Sequence, residues 1–144
     1  MQSRPIRVII EGQKILTCAA RTPVVEAARL MEQDNIGAVM IVEDGGLVGI
    51  FTERDALFRV IAKGRDAQIT QLTDVMTPNP QTIHPDKPYE DALRLMYEGG
   101  FRNVPVVEHG RPICMISARD ALGPELEDFV YELLRRDQIE QVLA

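Results

Sequence analysis

The feature that most constrains this chain is an internal repeat at an offset of 65 residues. The hexapeptide TERDAL at 52–57 recurs as SARDAL at 117–122, and the offset holds without a gap back to Pro23 and Pro88. Identical pairs between these points include Ala27 with Ala92, Arg29 with Arg94, Leu30 with Leu95, Met31 with Met96, Val39 with Val104, Val42 with Val107, Glu43 with Glu108 and Gly45 with Gly110. A chance match would not stay in register this long, so the chain holds two copies of one unit.

The apolar spacing within each copy predicts the element order β-α-β-β-α. A short strand-like segment, 15–18 or 81–83, precedes apolar residues at i, i+3, i+4 and i+7, the stripe of an amphipathic helix. The two stripes are Val24, Ala27, Ala28 and Met31, and then Tyr89, Ala92, Leu93 and Met96. Two apolar runs around a glycine-containing turn then predict an antiparallel hairpin, and a second helix begins at Glu53 or Ala118.

These elements predict a mixed α/β (α+β) fold. One copy cannot cover the apolar face of its own small sheet, so the two copies are expected to pack together. The predicted boundaries are 1–63 for the first repeat, 64–76 for a mostly polar linker, 77–122 for the second repeat and 123–144 for a C-terminal helical extension. The apolar stripe of that extension either folds back on the same chain or joins a partner subunit.

Composition excludes several classes of protein. The chain has 16 Lys plus Arg against 22 Asp plus Glu, a formal charge of −6, and lacks the basic stripe that binds a nucleic-acid strand. No apolar stretch approaches the roughly 20 residues of a membrane-spanning helix. Cys18 and Cys114 lie in apolar runs and are expected to be buried, reduced thiols. Because the N-terminal sequence shows no secretion signal, we expect a cytoplasmic protein.

The strand-to-helix corner of each copy carries a hydroxyl group followed by an acid three residues later, Thr52 with Asp55 and Ser117 with Asp120. This spacing is typical of a capping box, in which each side chain satisfies a backbone N–H at the helix start. The same groups also suit a nucleotide, because a carboxylate accepts from both ribose hydroxyls and a helix N-terminus favours phosphate. The two interpretations differ in whether open space adjoins the corner.

Taken together, the motifs resemble a tandem pair of CBS (cystathionine β-synthase) domains, a Bateman module, of the stand-alone bacterial type. The resemblance covers about residues 6–122 and rests on the helix at 23–34, the segments NIGAV at 35–39 and FRNVPVV at 101–107, the VMTP lead-in at 75–78, and the two corners. It implies two repeats related by pseudo-two-fold symmetry and a homodimer of such pairs.

The resemblance also implies a regulatory module that binds an adenosine-containing ligand, such as AMP, ADP, ATP, NAD or S-adenosylmethionine, between the repeats. Such a module transmits ligand binding either through the geometry of its dimer or to a partner protein. In that family the corner acid holds the ribose, which carries over to Asp55 with Thr52 and to Asp120 with Ser117. The other implied ligand-binding residues lie on the first strands, at the starts of the second strands and beside the corner acids: Thr17, Cys18, Ala19, Ile36, Gly37, Ala38, Arg54, Thr82, Ile83, His84, Arg102, Asn103, Val104 and Arg119.

The two sites are not expected to be equivalent. Arg102 stands where the first copy has Gly37, and a guanidinium can bind a phosphate where glycine offers only backbone. An exposed surface arginine is an equally good interpretation of Arg102. Cys114 stands where the first copy has Gly49, and its larger side chain is expected to crowd a ligand.

The sequence predicts no catalytic residues, no metal and no catalytic cofactor. His84 and His109 are the only histidines, and neither has a cysteine or acid at the spacing of a metal site or a catalytic triad. We therefore expect a sensor without chemistry of its own. The alternative is a purely structural interaction or dimerisation module, in which the two corners serve only as helix caps.

Overall fold

The structure is a computed structural model that describes residues 4–120 and 129–137. Its helices are α1 (Ile6–Ile9), α2 (Val24–Asp34), α3 (Glu53–Asp55) continuing as a π-helix (Ala56–Ile61), α4 (Leu72–Val75) and α5 (Tyr89–Gly99), followed by a 3-10 turn (Ala118–Asp120) and a helix at 129–137. Its strands are β1 (Thr17–Cys18), β2 (Ala38–Glu43), β3 (Gly46–Thr52), β4 (Thr77–Pro78), β5 (Asn103–Glu108) and β6 (Arg111–Ser117). This mixed architecture confirms the predicted fold class.

The two central hairpins correspond at the predicted offset. β2 pairs antiparallel with β3, β5 pairs antiparallel with β6, and both pairs carry a β-bulge at the equivalent position. Both turns place two consecutive residues at positive φ, Asp44 with Gly45 and His109 with Gly110. Two-residue hairpins favour this conformation because it matches the twist of the strands. The predicted glycine turns are therefore confirmed.

The first strands of the two copies differ in length. β1 pairs in parallel with β2 and β4 pairs antiparallel with β3, which gives a four-stranded sheet in the order β1-β2-β3-β4. In the second copy, the strand expected at 81–83 is a single bridge between Ile83 and Val106. Pro80 and Pro85 lie close on either side, and proline supplies no N–H to extend the ladder.

The amphipathic helices α2 and α5 begin and end alike. Each follows a proline, Pro23 or Pro88, and each ends at a residue in the left-handed conformation, Asn35 or Gly100. Ala28 is exposed, whereas the other residues of the predicted stripes are buried: Val24, Ala27, Met31, Tyr89, Ala92, Leu93 and Met96. Each stripe therefore covers the sheet of its own copy, as the spacing predicts.

Each repeat has its own apolar core, and each core is completed by the segment that precedes the other repeat. Leu72 and Val75 of α4, within the predicted linker, are buried in the first core. Ile6 of α1 is buried in the second core. Backbone bridges at the starts of α2 and α5 hold the two crossing segments in matching positions. This exchange joins the repeats, which also contact each other through β3 and β6.

Arg7 fixes the N-terminal segment to the second repeat through two carboxylates. Its guanidinium donates to Asp86 at 2.9 Å and also to Glu108. These hydrogen bonds raise the pKa of Arg7 and hold the pKa of Asp86 and of Glu108 below their ordinary values of 3.8 and 4.5. His84 lies beside the pair, with its Nε2 3.8 Å from Glu108.

The depressed carboxyl pKa values predict a dependence of stability on pH. Such groups contribute stability above their unfolded pKa, and the contribution is lost as the pH falls through their folded pKa. We expect stability to fall as the pH drops below about 5, and the Arg7→Met variant to show a shallower decline. Urea unfolding at closely spaced pH values measures both slopes, with exposed Arg21→Met as the control. Equal slopes for Arg7→Met and the wild type would contradict this account.

Residues 129–137 form a helix that packs back on α5. The rings of Phe129 and Tyr97 meet edge to face with centroids 6.0 Å apart, and Arg94 lies 3.4 Å from Glu132. This part of the predicted C-terminal extension therefore folds onto its own chain, while the rest of 123–144 lies outside the described residues. None of the described helices is long and apolar enough to cross a membrane.

Candidate functional site

In the first copy, the corner acid is buried and its carboxylate is engaged by the protein. Asp55 is 6% exposed and accepts hydrogen bonds from the N–H of Thr52 at 3.1 Å and from the hydroxyl of Thr77 at 3.3 Å. The Nε of Arg59 lies 3.5 Å from Oδ1 of Asp55. The hydroxyl of Thr52 accepts from the N–H of Asp55 at 3.2 Å, which completes a capping box. The first corner is thus a satisfied helix cap.

In the second copy, the corner acid is half-buried and borders a cavity of about 330 Å³. Asp120 Oδ2 accepts from the N–H of Ser117 at 2.7 Å and from its hydroxyl at 3.2 Å. Oδ1 accepts from the side-chain amide of Gln13 at 3.0 Å. The second carboxylate therefore combines the local cap with a contact from a distant, exposed side chain.

The cavity lies between the two repeats, since both contribute to its lining. Its apolar residues are Leu16, Ile36, Ala38 and Met115, and its polar residues are Gln13, Lys14, Asn103, Ser117 and Asp120. Apolar walls with a few convergent polar groups are the usual composition of a small-molecule site. Lys14 supplies a cation at the cavity, where it also pairs with Asp34 at 3.2 Å.

The first copy has Gly49 where the second copy has Cys114, and this replacement accounts for the difference between the two corners. A Cβ at Gly49 would lie 2.5 Å from the sulfur of Met76 and 2.9 Å from the carbonyl oxygen of Thr77, so glycine allows β4 to pair closely with β3. This pairing brings Thr77 to the first corner acid. Cys114 fills the equivalent position in the second copy, and residues 12–13, the counterparts of β4, lie outside any strand.

Cys114 thus faces the segment before β1 instead of the cavity. It is 3% exposed, and its sulfur lies 3.5 Å from the side-chain oxygen of Gln13. Burial raises the pKa of this thiol and of the Cys18 thiol, so both are protonated at neutral pH and Cys114 donates to Gln13. Cys114 is not among the residues that line the cavity, and its contact with the cavity runs through Gln13, so the expectation that it crowds a ligand stays a prediction.

The close approach at Gly49 predicts a destabilising effect of one methyl group. We expect Gly49→Ala to lower the free energy of unfolding by about 1–3 kcal/mol, because the backbone of β4 must shift. Gly46→Ala is the matched control, since a Cβ there would meet its nearest atom at 3.7 Å. Chemical denaturation measures both variants. Equal stability of the two would contradict the proposed role of Gly49.

The structure brings some of the predicted ligand-binding residues together and separates others. Those that line the cavity are Ile36, Ala38, Asn103, Ser117 and Asp120. Those that line a different groove, beside α5, are Thr82, Ile83 and His84. Those on the exposed surface are Thr17, Ala19 and Arg102, and those buried in a core are Cys18 and Val104.

Four of the remaining five predicted residues lie around the first corner. Asp55 and Thr52 form the capping box, Gly37 lies beside a groove between α2 and the π-helix, and Arg54 stacks over the ring of Phe58 at 5.3 Å. The side chain of Arg119 lies outside the described part of the structure. The two sets of predicted residues are therefore placed differently, although their sequence motifs are alike.

Sequence reasoning missed several residues that line the cavity. Gln13, Lys14 and Leu16 carry no motif, but the repeat offset pairs them with the end of the VMTP lead-in and the residues just after it, and extending the comparison there would have indicated them. Sequence spacing also missed the cluster in which His84, Asp86 and Glu108 place ligand-type atoms within 4.8 Å of one another. Because Arg7 donates to both carboxylates, this cluster serves to hold the N-terminal segment.

Comparison with known proteins gives consistent results for sequence and for structure. The family profile of the CBS domain matches residues 9–62 and 72–124. CBS domain-containing protein YhcV of Bacillus subtilis is 35% identical over 107 residues, which cover 74% of this chain and 76% of that protein. Several longer Arabidopsis thaliana relatives with CBS domains are matched over 20% of their own length.

Solved structures show the same architecture. A protein with CBS domains from Burkholderia ambifaria superposes with a TM-score of 0.77 at 28% identity, covering 81% of this chain and 90% of that one. The CBS domain pair of protein MJ0100, solved in complex with 5′-methylthioadenosine and S-adenosyl-L-methionine, gives a TM-score of 0.73 at 26% identity, covering 81% and 95%. With two consecutive profile matches and a relative of this similarity, the chain belongs to the CBS-domain family and carries two copies of the domain.

Proposed function

We propose that this CBS pair is a non-catalytic regulatory module that binds one adenosine-containing ligand per chain, in the cavity at Asp120. The observation that carries the proposal is the difference between the corners: Asp120 borders a cavity between the repeats, whereas Asp55 is buried in a completed cap. A family neighbour, the MJ0100 pair, binds two ligands that contain adenosine. The residues around Asp120 are suited to binding an adenosine group as well.

Each part of an adenosine ligand has a matching group in the cavity. Leu16, Ile36 and Met115 offer apolar surface to the adenine ring. The carboxylate of Asp120 accepts from ribose hydroxyls, and Lys14 offers a cation to a phosphate or carboxylate on the ligand. At about 330 Å³, the cavity is near the lower end of the range of roughly 300–1,000 Å³ for ligand sites, which favours a nucleoside or mononucleotide such as AMP over NAD.

Gln13 provides a way for the ligand to affect the rest of the chain. Its amide donates both to Asp120 and to the carbonyl of Ile9 at the end of α1, at 3.0 Å and 3.2 Å. A ribose hydroxyl that donates to the same oxygen of Asp120 competes with this amide. Ligand binding therefore rearranges the segment between α1 and β1, which is the output we propose for a partner protein or a second subunit in the cytoplasm.

A structural interaction module is the second candidate function. The observation that favours it is the exposed apolar surface of the π-helix, where Leu57, Phe58 and Ile61 are all about half or more exposed. This function predicts assembly of the chain without any effect of nucleotides. Assembly itself is expected under both functions, so the response to an added nucleotide is the measurement that distinguishes them.

Mass spectrometry of the small molecule that co-purifies with the chain tests the proposal. We expect an adenosine-containing compound in the wild-type preparation and its loss from Asp120→Asn, since the amide no longer offers two acceptor oxygens. The absence of such a compound, together with no rise in melting temperature on adding millimolar AMP, ATP, NAD or S-adenosylmethionine, would leave the structural module as the function.

A further inference from the structure

Tyr89, the first residue of α5, is a buried tyrosine whose hydroxyl reaches the corner beside the cavity. Its side chain is 0% exposed and lies in the second core with Ile6, Val104 and Ile116. The hydroxyl donates to the backbone carbonyl of Ser117 at 2.7 Å, a length typical of a well-formed O–H···O bond. Core packing therefore fixes the ring, and its polar end is bound to the corner.

At the equivalent position, the first repeat carries no hydroxyl. The offset of 65 residues pairs Tyr89 with Val24, which is also buried but has an apolar side chain without a donor. A buried phenolic O–H requires an acceptor, and the carbonyl of Ser117 provides it. The tyrosine thus ties the second corner to α5 by a bond that the side chain of Val24 cannot make from α2.

The first repeat supports its corner acid with different groups. The hydroxyl of Thr77 and the guanidinium of Arg59 both contact the carboxylate of Asp55 directly. Their counterparts at the offset are Gly12 and Pro124, and neither residue type has a side-chain donor. The first repeat therefore engages the oxygens of its acid, whereas the second repeat holds the backbone of its corner.

Holding the backbone fixes the second corner without using the oxygens of its acid. The N–H and the hydroxyl of Ser117 donate to Oδ2 of Asp120 at 2.7 Å and 3.2 Å. Because Tyr89 donates to the carbonyl of the same serine, all three polar groups of Ser117 are engaged. The position of the Asp120 carboxylate thus depends on the hydroxyl of Tyr89. A site that is ordered in advance binds more tightly, because less order is imposed when the ligand arrives.

We propose that Tyr89 is a positioning residue for the cavity at Asp120. Its hydroxyl holds the 117–120 corner in the position from which the carboxylate accepts from both hydroxyls of a ribose. Since this role concerns the same cavity, it rests on the proposed function. It adds a determinant of selectivity, because a carboxylate held for two hydroxyls prefers ribose to 2′-deoxyribose.

Calorimetric titration of Tyr89→Phe with AMP, ATP and their 2′-deoxy forms tests this role. Phenylalanine keeps the ring in the core and removes only the hydroxyl. We expect the wild type to bind AMP or ATP about 10-fold more tightly than the 2′-deoxy form, since the latter lacks one hydrogen bond to a charged group. In Tyr89→Phe, we expect the affinity for the ribonucleotide to fall about 3- to 10-fold and the preference to shrink to about 3-fold or less.

Two controls separate positioning from a general loss of structure. Tyr97→Phe removes a hydroxyl from a tyrosine that is exposed, and Ile6→Val removes one methylene group from the same core at a residue that does not line the cavity. Both are expected to keep the affinity and the ribose preference of the wild type. Circular dichroism and chemical denaturation of each sample record folding and stability.

The outcomes distinguish this role from the proposed function. If the wild type binds and Tyr89→Phe keeps the same affinity or the same ribose preference, the role of Tyr89 is wrong and the proposed function stands. An equal loss of preference in Ile6→Val would assign the effect to core packing and would also overturn the role. Absence of AMP and ATP binding by the wild type would overturn both.

Discussion

The Asp120→Ala variant is expected to show no rise in melting temperature with the adenosine ligand that stabilises the wild-type chain. A ligand that binds only the folded state stabilises it by about 2.7 kcal/mol at 100 times its Kd. For a chain of this length, this corresponds to a shift of roughly 8 °C. Alanine removes both carboxylate oxygens of Asp120, the group that we propose accepts from the ribose hydroxyls, so the affinity and the shift are expected to be lost together.

Differential scanning fluorimetry over a series of ligand concentrations measures this effect. The matched variant is Asp55→Ala, which alters the equivalent acid in the other repeat and should keep the full ligand-induced shift. Two observations would count against the assignment: an unchanged shift in Asp120→Ala, or a shift that disappears equally in both variants. The comparison is informative because the two corners share one sequence pattern.

Asp55→Ala is expected to lower the free energy of unfolding by about 2–3 kcal/mol in the absence of ligand. The substitution keeps the hydrogen bond from the N–H of residue 55 to the Thr52 hydroxyl, but it removes the carboxylate half of the capping box and leaves the half-buried donors of Thr52 and Thr77 without their acceptor, at a cost of about 1–1.5 kcal/mol each. Chemical denaturation measures the loss, and Asp74→Ala serves as a control because Asp74 is exposed on α4. That control should change stability by about 0.5 kcal/mol or less.

The first corner would need a different interpretation if Asp55→Ala were as stable as Asp74→Ala. In that case, the carboxylate would not be acting as a cap, and a role in ligand binding would become the better explanation of its burial. The expected outcome is a variant that is less stable and still responds to ligand. We therefore expect Asp55→Ala to affect mainly the stability of the chain, and Asp120→Ala to affect mainly its response to the ligand.

The features that repeat at one offset are the ones that the sequence predicts well. Hairpin turns at Asp44 and His109, helix ends at Asn35 and Gly100, and the alternation of elements all follow from local patterns that both copies share. Local conformation depends mainly on neighbouring residues, so duplication of the pattern doubles the evidence for each element. Local patterns alone therefore predict the fold class and the repeat architecture.

The difference between the two sites depends on long-range contacts, which local patterns do not encode. A comparison of the copies shows Gly49 against Cys114, but it does not show that glycine admits β4 and brings Thr77 to Asp55. Likewise, the contact of Gln13 with Asp120 spans more than a hundred positions along the chain. The exchange of α1 and α4 between the cores is also non-local, so the sequence boundaries did not indicate it.

Calorimetric titration tests the central claim most directly, because it measures both affinity and the number of sites. AMP, ATP, NAD and S-adenosylmethionine are each titrated into the wild type, Asp120→Asn and Asp55→Asn. We predict that at least one ligand binds the wild type and Asp55→Asn with one site per chain and does not bind Asp120→Asn. Absence of binding by all four ligands, or binding that persists in Asp120→Asn and is lost in Asp55→Asn, would contradict the account.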